Sequence, residues 1–507
     1  MMKTRKYLLT LAYICLTLLT ACADKQAATD QQKKIDQLES IRDLSTSRVG
    51  VITGVVYEEA LSKEFPDMHV MYIDDEIGLL QSLQTHRCDA ALFDEHTLKF
   101  HMQSISGIRI LKEPYMTADV GAIFHPESEA LRDEFNVFIR QLKADGQYEQ
   151  LYEKWIEHGQ TSHMSDIPLP TDGEPLRVAT TSSSAPLVFI KDGKLVGLEV
   201  EIMTLFAQYI NRPIEWWDMD FSGVLPAIVS KRCDAAVCSI NYSEERAKNV
   251  IFSDMYFLCS SVVAVADAEV ADTAEETNET FFQSLKKTFY QNLIEENRYL
   301  LIVDGLKITA WISLFSILLG TLLAIIVCWM SMSPSLTLRS IAKVYINVMQ
   351  GTPVLVFLLL MFYVVLAQSG MSAVIVSIIT FSMNFAAYAS EIFRHSIENI
   401  PHSQTEAGVA LGFTKAQTFI YIVLPQALRL IMPSYKGEVI SLVKTTSIVG
   451  YIAVADLTQA GDIIRSRTFD AFFPLILVAI VYFILAWLFS KVLDILGNKI
   501  QEYKHIK

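Results

Sequence analysis

The pentapeptide Arg87-Cys88-Asp89-Ala90-Ala91, RCDAA, recurs at Arg232-Cys233-Asp234-Ala235-Ala236, and each copy follows a basic or near-basic residue, His86 or Lys231. Before the first copy, EIGLLQSLQTH carries Ile77, Leu79, Leu80 and Leu83 at helical spacing, and AALF after it is a short apolar run ending at Asp94. Before the second, FSGVLPAIVSK places Val224, Leu225, Ile228 and Val229 likewise, and AAVCSI follows. Each copy therefore reads as helix, tight polar turn and buried strand, the unit from which helix-covered parallel sheets are built. The Cys and Ala residues fill the turn into a core strand, where small residues pack well. No CxxC pair or nearby His cluster accompanies them, so no metal or other cofactor is expected. A disulfide among Cys88, Cys233, Cys238 and Cys259 stays open, with no connectivity fixed by the sequence.

A chain of 507 residues is too long for one ordinary core and predicts two or three units. Charge separates them: residues 1–300 hold 28 Lys and Arg against 46 Asp and Glu, whereas residues 301–507 hold 14 against 10. An acidic soluble half is thus joined to an apolar half, and no nucleic acid partner is expected. At the N-terminus, Lys3, Arg5 and Lys6 precede an apolar run from Tyr7 to Leu19, the pattern of a secretory signal. An uncleaved anchor is the alternative; in either case the acidic half is exported.

Long apolar segments lie at about Ile302–Met330, Ile341–Ala367, Met371–Ser390, Val439–Val454 and Phe472–Leu493. The fourth falls short of the ~20 residues a span needs, so its start is expected earlier, near Leu430. Five spans with an external N-terminus leave the C-terminus inside. Arg339, Lys343, Arg394, His395, Lys415 and the tail residues Lys491, Lys499, Lys504 and Lys507 then fall on the cytoplasmic side, as the positive-inside rule asks. Arg465 and Arg467 fall on the wrong side.

Leu176–Phe257 resembles the first lobe of periplasmic binding proteins for polar amino acids, and Arg48–Trp155 resembles their second lobe with the returning C-terminal helices. The order is inverted. One bilobed domain's length rather than two, and a Pro- and Gly-containing connector between the halves, favour a circularly permuted clamshell over tandem degenerate receptors. In that resemblance Asp94 takes the ligand's α-ammonium and Arg246 its α-carboxylate, a pairing that charge-assisted hydrogen bonding supports. Phe221 matches the aromatic that packs on the ligand, and Thr181, Ser184, Ser239 and Asn241, with Cys238, occupy the remaining cleft positions. Val55 and Val56 stand where the family has a hydroxyl. No acid stands at the Thr181 position, so a neutral or acidic polar ligand is favoured. Leu19-Thr20-Ala21-Cys22 resembles a bacterial lipobox, which implies lipidation of Cys22.

Glu406-Ala407-Gly408, Gly412, Ile422, Leu424 and Pro425, in EAGVALGFTKAQTFIYIVLP, resemble the coupling loop of binding-protein-dependent ABC permeases of the polar amino acid branch. The resemblance implies docking of this loop on a cytoplasmic ATPase. Gly412 is expected to allow close helix approach, and Pro425 to end the element. Gly408 replaces a usual Ala. Asn384, Lys444, Thr445 and Thr446 are candidates for lining the translocation path; Glu391 either joins them or pairs with Arg394. No GxxxxGK[ST] string occurs, so a separate ATPase subunit is required, and one five-span bundle makes half a pathway, so a homodimer is expected.

The expected fold is therefore an α/β bilobed binding-protein-like domain followed by an all-α type I ABC permease domain. Its parts are a signal peptide (1–22), second lobe and return helices (40–158), connector (159–175), first lobe (176–267), linker and pre-membrane helix (268–300) and transmembrane permease (301–507). The linker would hold receptor near permease at an effective concentration on the order of mM. The expected function is the receptor plus permease of an importer in the bacterial plasma membrane, with the binding domain extracytoplasmic and no enzymatic activity of its own. An amino-acid-gated ion channel of glutamate-receptor type is the alternative, but no TVGYG-like filter is present. A cell-wall lyase on the bilobed fold lacks a catalytic acid constellation.

Overall fold

Both RCDAA copies begin at the end of a helix. His86 (φ 55°) and Lys231 (φ 59°) adopt the left-handed conformation. Their amides donate to Leu83 O and Ile228 O, while the amides of Arg87 and Arg232 reach back to Ser82 O and Ala227 O. This is a Schellman cap, which satisfies carbonyls the helix leaves without partners. The aspartate of each copy then clamps the arginine at the start of the neighbouring strand, its first residue in one case and its second in the other: Asp89 accepts from Arg48 (2.7 Å) and Asp234 from Arg177 (2.8 Å). In both cases the same aspartate also accepts that arginine's backbone amide. The repeat is thus a conserved piece of geometry comprising cap, clamp and strand.

The computed structural model describes residues 41–267, apart from positions 54, 56, 66, 74, 104, 106, 112, 113 and 160, together with 281–468, 470 and 472–502. The signal segment, Cys22, Val56 and the linker from 268 to 280 lie outside the described residues. Two compact units emerge. The first draws on the chain up to Ile73, Leu79–Thr117 and Ser260–Thr277; the second on Asp74–Gly78, Ala118–Cys259 and everything from Asn278 onward.

In the first unit the sheet runs His69–Ile73, Arg48–Ile52, Ala90–Asp94, Phe257–Ala266, Ile108–Ile110. The first three strands are parallel and Phe257–Ala266 is antiparallel to its neighbours. Val49, Val51, Leu92, Val263 and Val265 form the core. Such nearly unbroken apolar runs suit strands buried on both faces.

In the second unit a sheet runs Ile214–Asp218, Leu176–Thr180, Ala235–Ala236, Ile123–Phe124, Ile251–Phe252. Here too the first three strands are parallel and Ile123–Phe124 is antiparallel. Each sheet therefore takes a strand from the other side of segment 159–175. The helix Glu129–Ala144 packs against Leu198–Tyr209, with Phe135 and Phe206 rings 5.0 Å apart. Fully buried Glu201 accepts from Trp155 Nε1 (2.6 Å) and Lys154 Nζ (2.7 Å), which ties the return segment to the same helix. The run AAVCSI is a strand only at Ala235–Ala236, because Ser239 (φ 54°) turns the chain away. Cys88, Cys233, Cys238, Cys259 and Cys328 are buried, and none of these is in a disulfide.

Among the described residues, the apolar half of the second unit contains three continuous helices long and apolar enough to cross a membrane: Tyr299–Ser331, Ala373–Glu398 and Phe472–Ile495. They contain or overlap the expected first, third and fifth spans. The second expected span is broken into Leu336–Gly351 and Val354–Val365, bent by 107°. Pro353 stands at the break, where it offers no amide to the preceding turn and caps the next helix. The fourth starts earlier than expected, at Leu424, and runs to Thr445. It continues through Thr446–Ile452 into Leu457–Arg465 at an angle of 59°. Counting each bent pair as one span gives five.

Candidate functional site

Arg246 opens a short turn, Arg246–Lys248, after the second RCDAA strand. Its Nη1 donates to Asn241 O at 2.7 Å, and its guanidinium lies 5.6 Å from the Phe221 ring centroid. Phe221 begins the helix Phe221–Val229. Arg246, Asn241 and Phe221 are thus brought together. Asn241 is buried, and its Oδ1 has no hydrogen-bond partner in the structure. Ser239, also buried, is held by its amide, which donates to Glu199 Oε2 at 2.9 Å. Fully buried Glu199 accepts from Tyr256 Oη with its other oxygen at 2.5 Å, and burial pushes the Tyr256 phenol well up. The sequence reading missed Glu199, which resembles any helix-start acid until the fold buries it.

Thr181 and Ser184 are buried in the loop after Leu176–Thr180, and the Thr181 hydroxyl lies 3.0 Å from that of Ser183. Asp218, at the end of the adjacent strand, accepts the Ser182 amide at 2.8 Å. Removal from water pushes the Asp218 carboxyl up to about 6. Asp94 belongs to the other unit, where it ends the strand Ala90–Asp94 and precedes the helix Glu95–Met102.

Within the second unit, Thr181, Ser182 and Ser183 line a pocket with Asp75, Met219, Asp220, Gln459, Asp462, Ile463 and Arg465. Arg465 Nη2 pairs with Asp75 at 2.8 Å, and its Nε lies 3.3 Å from Asp462. Arg465 is thus an ion-pair partner rather than a free positive charge. The sequence flagged Arg465 only as a breach of the charge rule. Asp220 and Asp75 place two carboxylates in the pocket lining beside Thr181.

Among the path candidates, Asn384 is buried and donates to Met349 O at 3.3 Å, bracing the helix that precedes the Pro353 break. Thr445 and Thr446 donate to carbonyls of their own helix, Ser441 O and Val443 O. Lys444 is exposed. Glu391 pairs with Arg394 at 2.7 Å, the second of the two alternatives.

The segment after Ala373–Glu398 forms an elbow of two short helices, His402–Ala410 and Lys415–Thr418. Gly412 (φ 87°) terminates the first in a third Schellman cap, with the Phe413 amide donating to Gly408 O. Thr414 and Gln417 form a capping box that starts the second. The close approach expected at Gly412 is found at Gly408 instead. A Cβ on Gly412 would meet nothing within 4 Å, whereas one on Gly408 would lie 2.5 Å from Thr418 Cγ2 and 2.9 Å from Ile422 Cδ1. Gly408 permits the close approach; Gly412 supplies the backbone conformation. Leu424 and Pro425 open the long helix Leu424–Thr445 instead of ending an element. Glu406 and Ala407 are exposed, as are Val409, Leu411 (76%), Ile420 and Tyr421. An exposed apolar cluster of this kind marks a surface for a partner.

Residues 316–502 match the family described as binding-protein-dependent transport system inner membrane component. The L-cystine transport system permease protein TcyB of Bacillus subtilis (strain 168) is 33% identical over 42% of this chain and 92% of its own length. A solved structure described as an amino acid ABC transporter with histidines shares 33% identity over 44% of this chain and all of that one, with a TM-score of 0.37. A structure of ArgBP from T. maritima covers 51% of this chain and 93% of that one at 16% identity, TM-score 0.25. On the permease match, the chain belongs to the binding-protein-dependent ABC transport permeases, membrane subunits of transporters rather than enzymes.

Proposed function

We propose that the chain is receptor and permease in one polypeptide, importing a polar amino acid through a homodimeric pathway driven by a separate ATPase. The observation that carries this reading is the pocket shared by the loop Thr181–Ser183 and the permease side chains Gln459, Asp462 and Arg465, which gives capture and passage a common boundary. Arg246 would grip the α-carboxylate through its guanidinium fork and Asp94 the α-ammonium, with Phe221 against the side chain. Phe221, Asn241, Thr181, Ser184 and Ser239 would shape the remaining contacts. The strand exchange across segment 159–175 supports one permuted clamshell with the lobe boundaries given above. The exposed elbow around Glu406 and Leu411 supports docking on an ATPase, and exposed Lys444 on its apolar span supports a facing protomer. The receptor part would stand on the extracytoplasmic side, with Cys22 as its lipid anchor.

The test is ATP hydrolysis by the full chain reconstituted with an amino-acid ABC ATPase and screened against single amino acids. One ligand class should stimulate hydrolysis several-fold. Arg246→Ala should abolish that stimulation without changing the basal rate, and Glu406→Ala should lower both. Ligand-evoked ion current without any ATPase would overturn the reading.

A further inference from the structure

The two RCDAA copies share cap, clamp and strand, yet their arginines meet different fates. Arg87 is exposed, whereas Arg232 is 2% exposed. The acid next to it does not pair with Arg232, because Asp234 is taken by Arg177 and Arg212. The Arg232 guanidinium instead crosses to the membrane half. Nε and Nη2 donate to Phe362 O (3.1 and 3.0 Å), Nη2 also to Leu366 O (2.5 Å), and Nη1 to Met371 O (2.9 Å). The guanidinium also lies 4.5 Å from the Phe362 ring centroid. Phe362 and Leu366 stand at the end of the second half of the broken span, Val354–Val365, where the helix dipole is negative, and Leu366 O also accepts from the Ser369 amide (3.1 Å) and hydroxyl (2.7 Å). A planar, weakly hydrated cation with five donors suits such a cluster better than an ammonium does.

Neighbouring contacts complete the seat. The Trp217 and Phe362 rings are 5.9 Å apart, and Tyr363 Oη donates to Gly223 O at 3.4 Å. A buried guanidinium held only by carbonyls of another part of the chain would be left uncompensated if that part withdrew. We propose that the lobe carrying Arg232 is a permanently seated part of the permease rather than a tethered receptor that docks and leaves, and that Arg232 seats it. This inference goes beyond the transport reading and holds for any ligand.

The experiment places a site-specific protease sequence between residues 268 and 280 of the full chain, tagged at the C-terminus and purified in detergent. After cleavage, the N-terminal fragment should stay with the tagged permease half through washing in the absence of any amino acid. Arg87→Met, the same change in the other copy, should leave retention unaltered. Arg232→Met should lower retention at least tenfold, with the released fragment keeping a cooperative thermal transition, and Arg232→Lys should fall between. If Arg232→Met unfolds the lobe, Phe362→Leu on the permease side decides the matter, with a several-fold loss expected. Release of the wild-type fragment on cleavage, or full retention by Arg232→Met or by Phe362→Leu, would overturn the proposal.

Discussion

Asp218 shows how one residue's environment sets a measurable property. Its carboxyl accepts the Ser182 amide, which favours the charged form, but removal from water outweighs this and raises its value from 3.8 to about 6. A raised carboxyl binds its proton more tightly in the folded state than in the unfolded state. Its contribution to stability is therefore present at acid pH and lost as pH rises through about 6. Asp218→Asn keeps an acceptor for the Ser182 amide while removing the titration. The melting temperature of wild type minus variant should thus be larger at pH 4.5 than at pH 7.5, read by scanning calorimetry; a difference independent of pH would contradict the assignment. At this scale the sequence was informative about chemistry and silent about partners. Arg246 and Phe221 stood out because each side chain's type limits what it can do, and the guanidinium and ring centroid lie 5.6 Å apart. Glu199 and Arg465 did not, because burial and pairing with residues 40 to 390 positions away leave no local trace.

At the scale of elements, the elbow over residues 402–418 is the clearest case of local rules acting together. A Schellman cap closes one helix, a capping box opens the next, and the turn between them holds Gly412 at φ 87°. Spacing revealed the motif but not the division of labour between its glycines. A Cβ at position 408 meets Thr418, and overpacking of this kind typically costs about 1–3 kcal/mol. Gly408→Val should therefore reduce ATPase stimulation strongly while leaving the transmembrane helices intact by circular dichroism. Gly408→Ala should show a smaller loss that Thr418→Ala largely restores; failure of the second change to restore it would remove the packing explanation. The spans divide in the same way. Three were legible as long apolar runs, whereas the break at Pro353 was hidden because hydropathy does not register backbone direction.

At the scale of the molecule, topology was legible from the order of motifs and the split of charge between halves. What stayed out of reach was which strand completes which sheet, since Ile123–Phe124 is two residues long and is assigned by its neighbours rather than by its own pattern. One five-span bundle with an exposed Lys444 leads to an expectation about assembly. Mass measurement of the chain in nanodiscs should give two copies, and Lys444→Glu should shift the population toward one; single copies in the wild type would contradict the paired pathway. Here exposure carries the information, because a charge on an apolar span is costly unless it faces protein or water.

The twin cysteines offer a clock. Cys88 and Cys233 occupy the same place in the two repeats, one in each compact unit, and both are buried with their thiols pushed up, Cys88 to about 12. Alkylation requires thiolate and access together, and the native chain offers neither at these positions. Pulsed alkylation followed by peptide mass spectrometry would therefore time the opening of each unit separately within one molecule. Equal labelling rates would mean that the two units open as one; a faster Cys88 would mean that the unit without the membrane helices opens first.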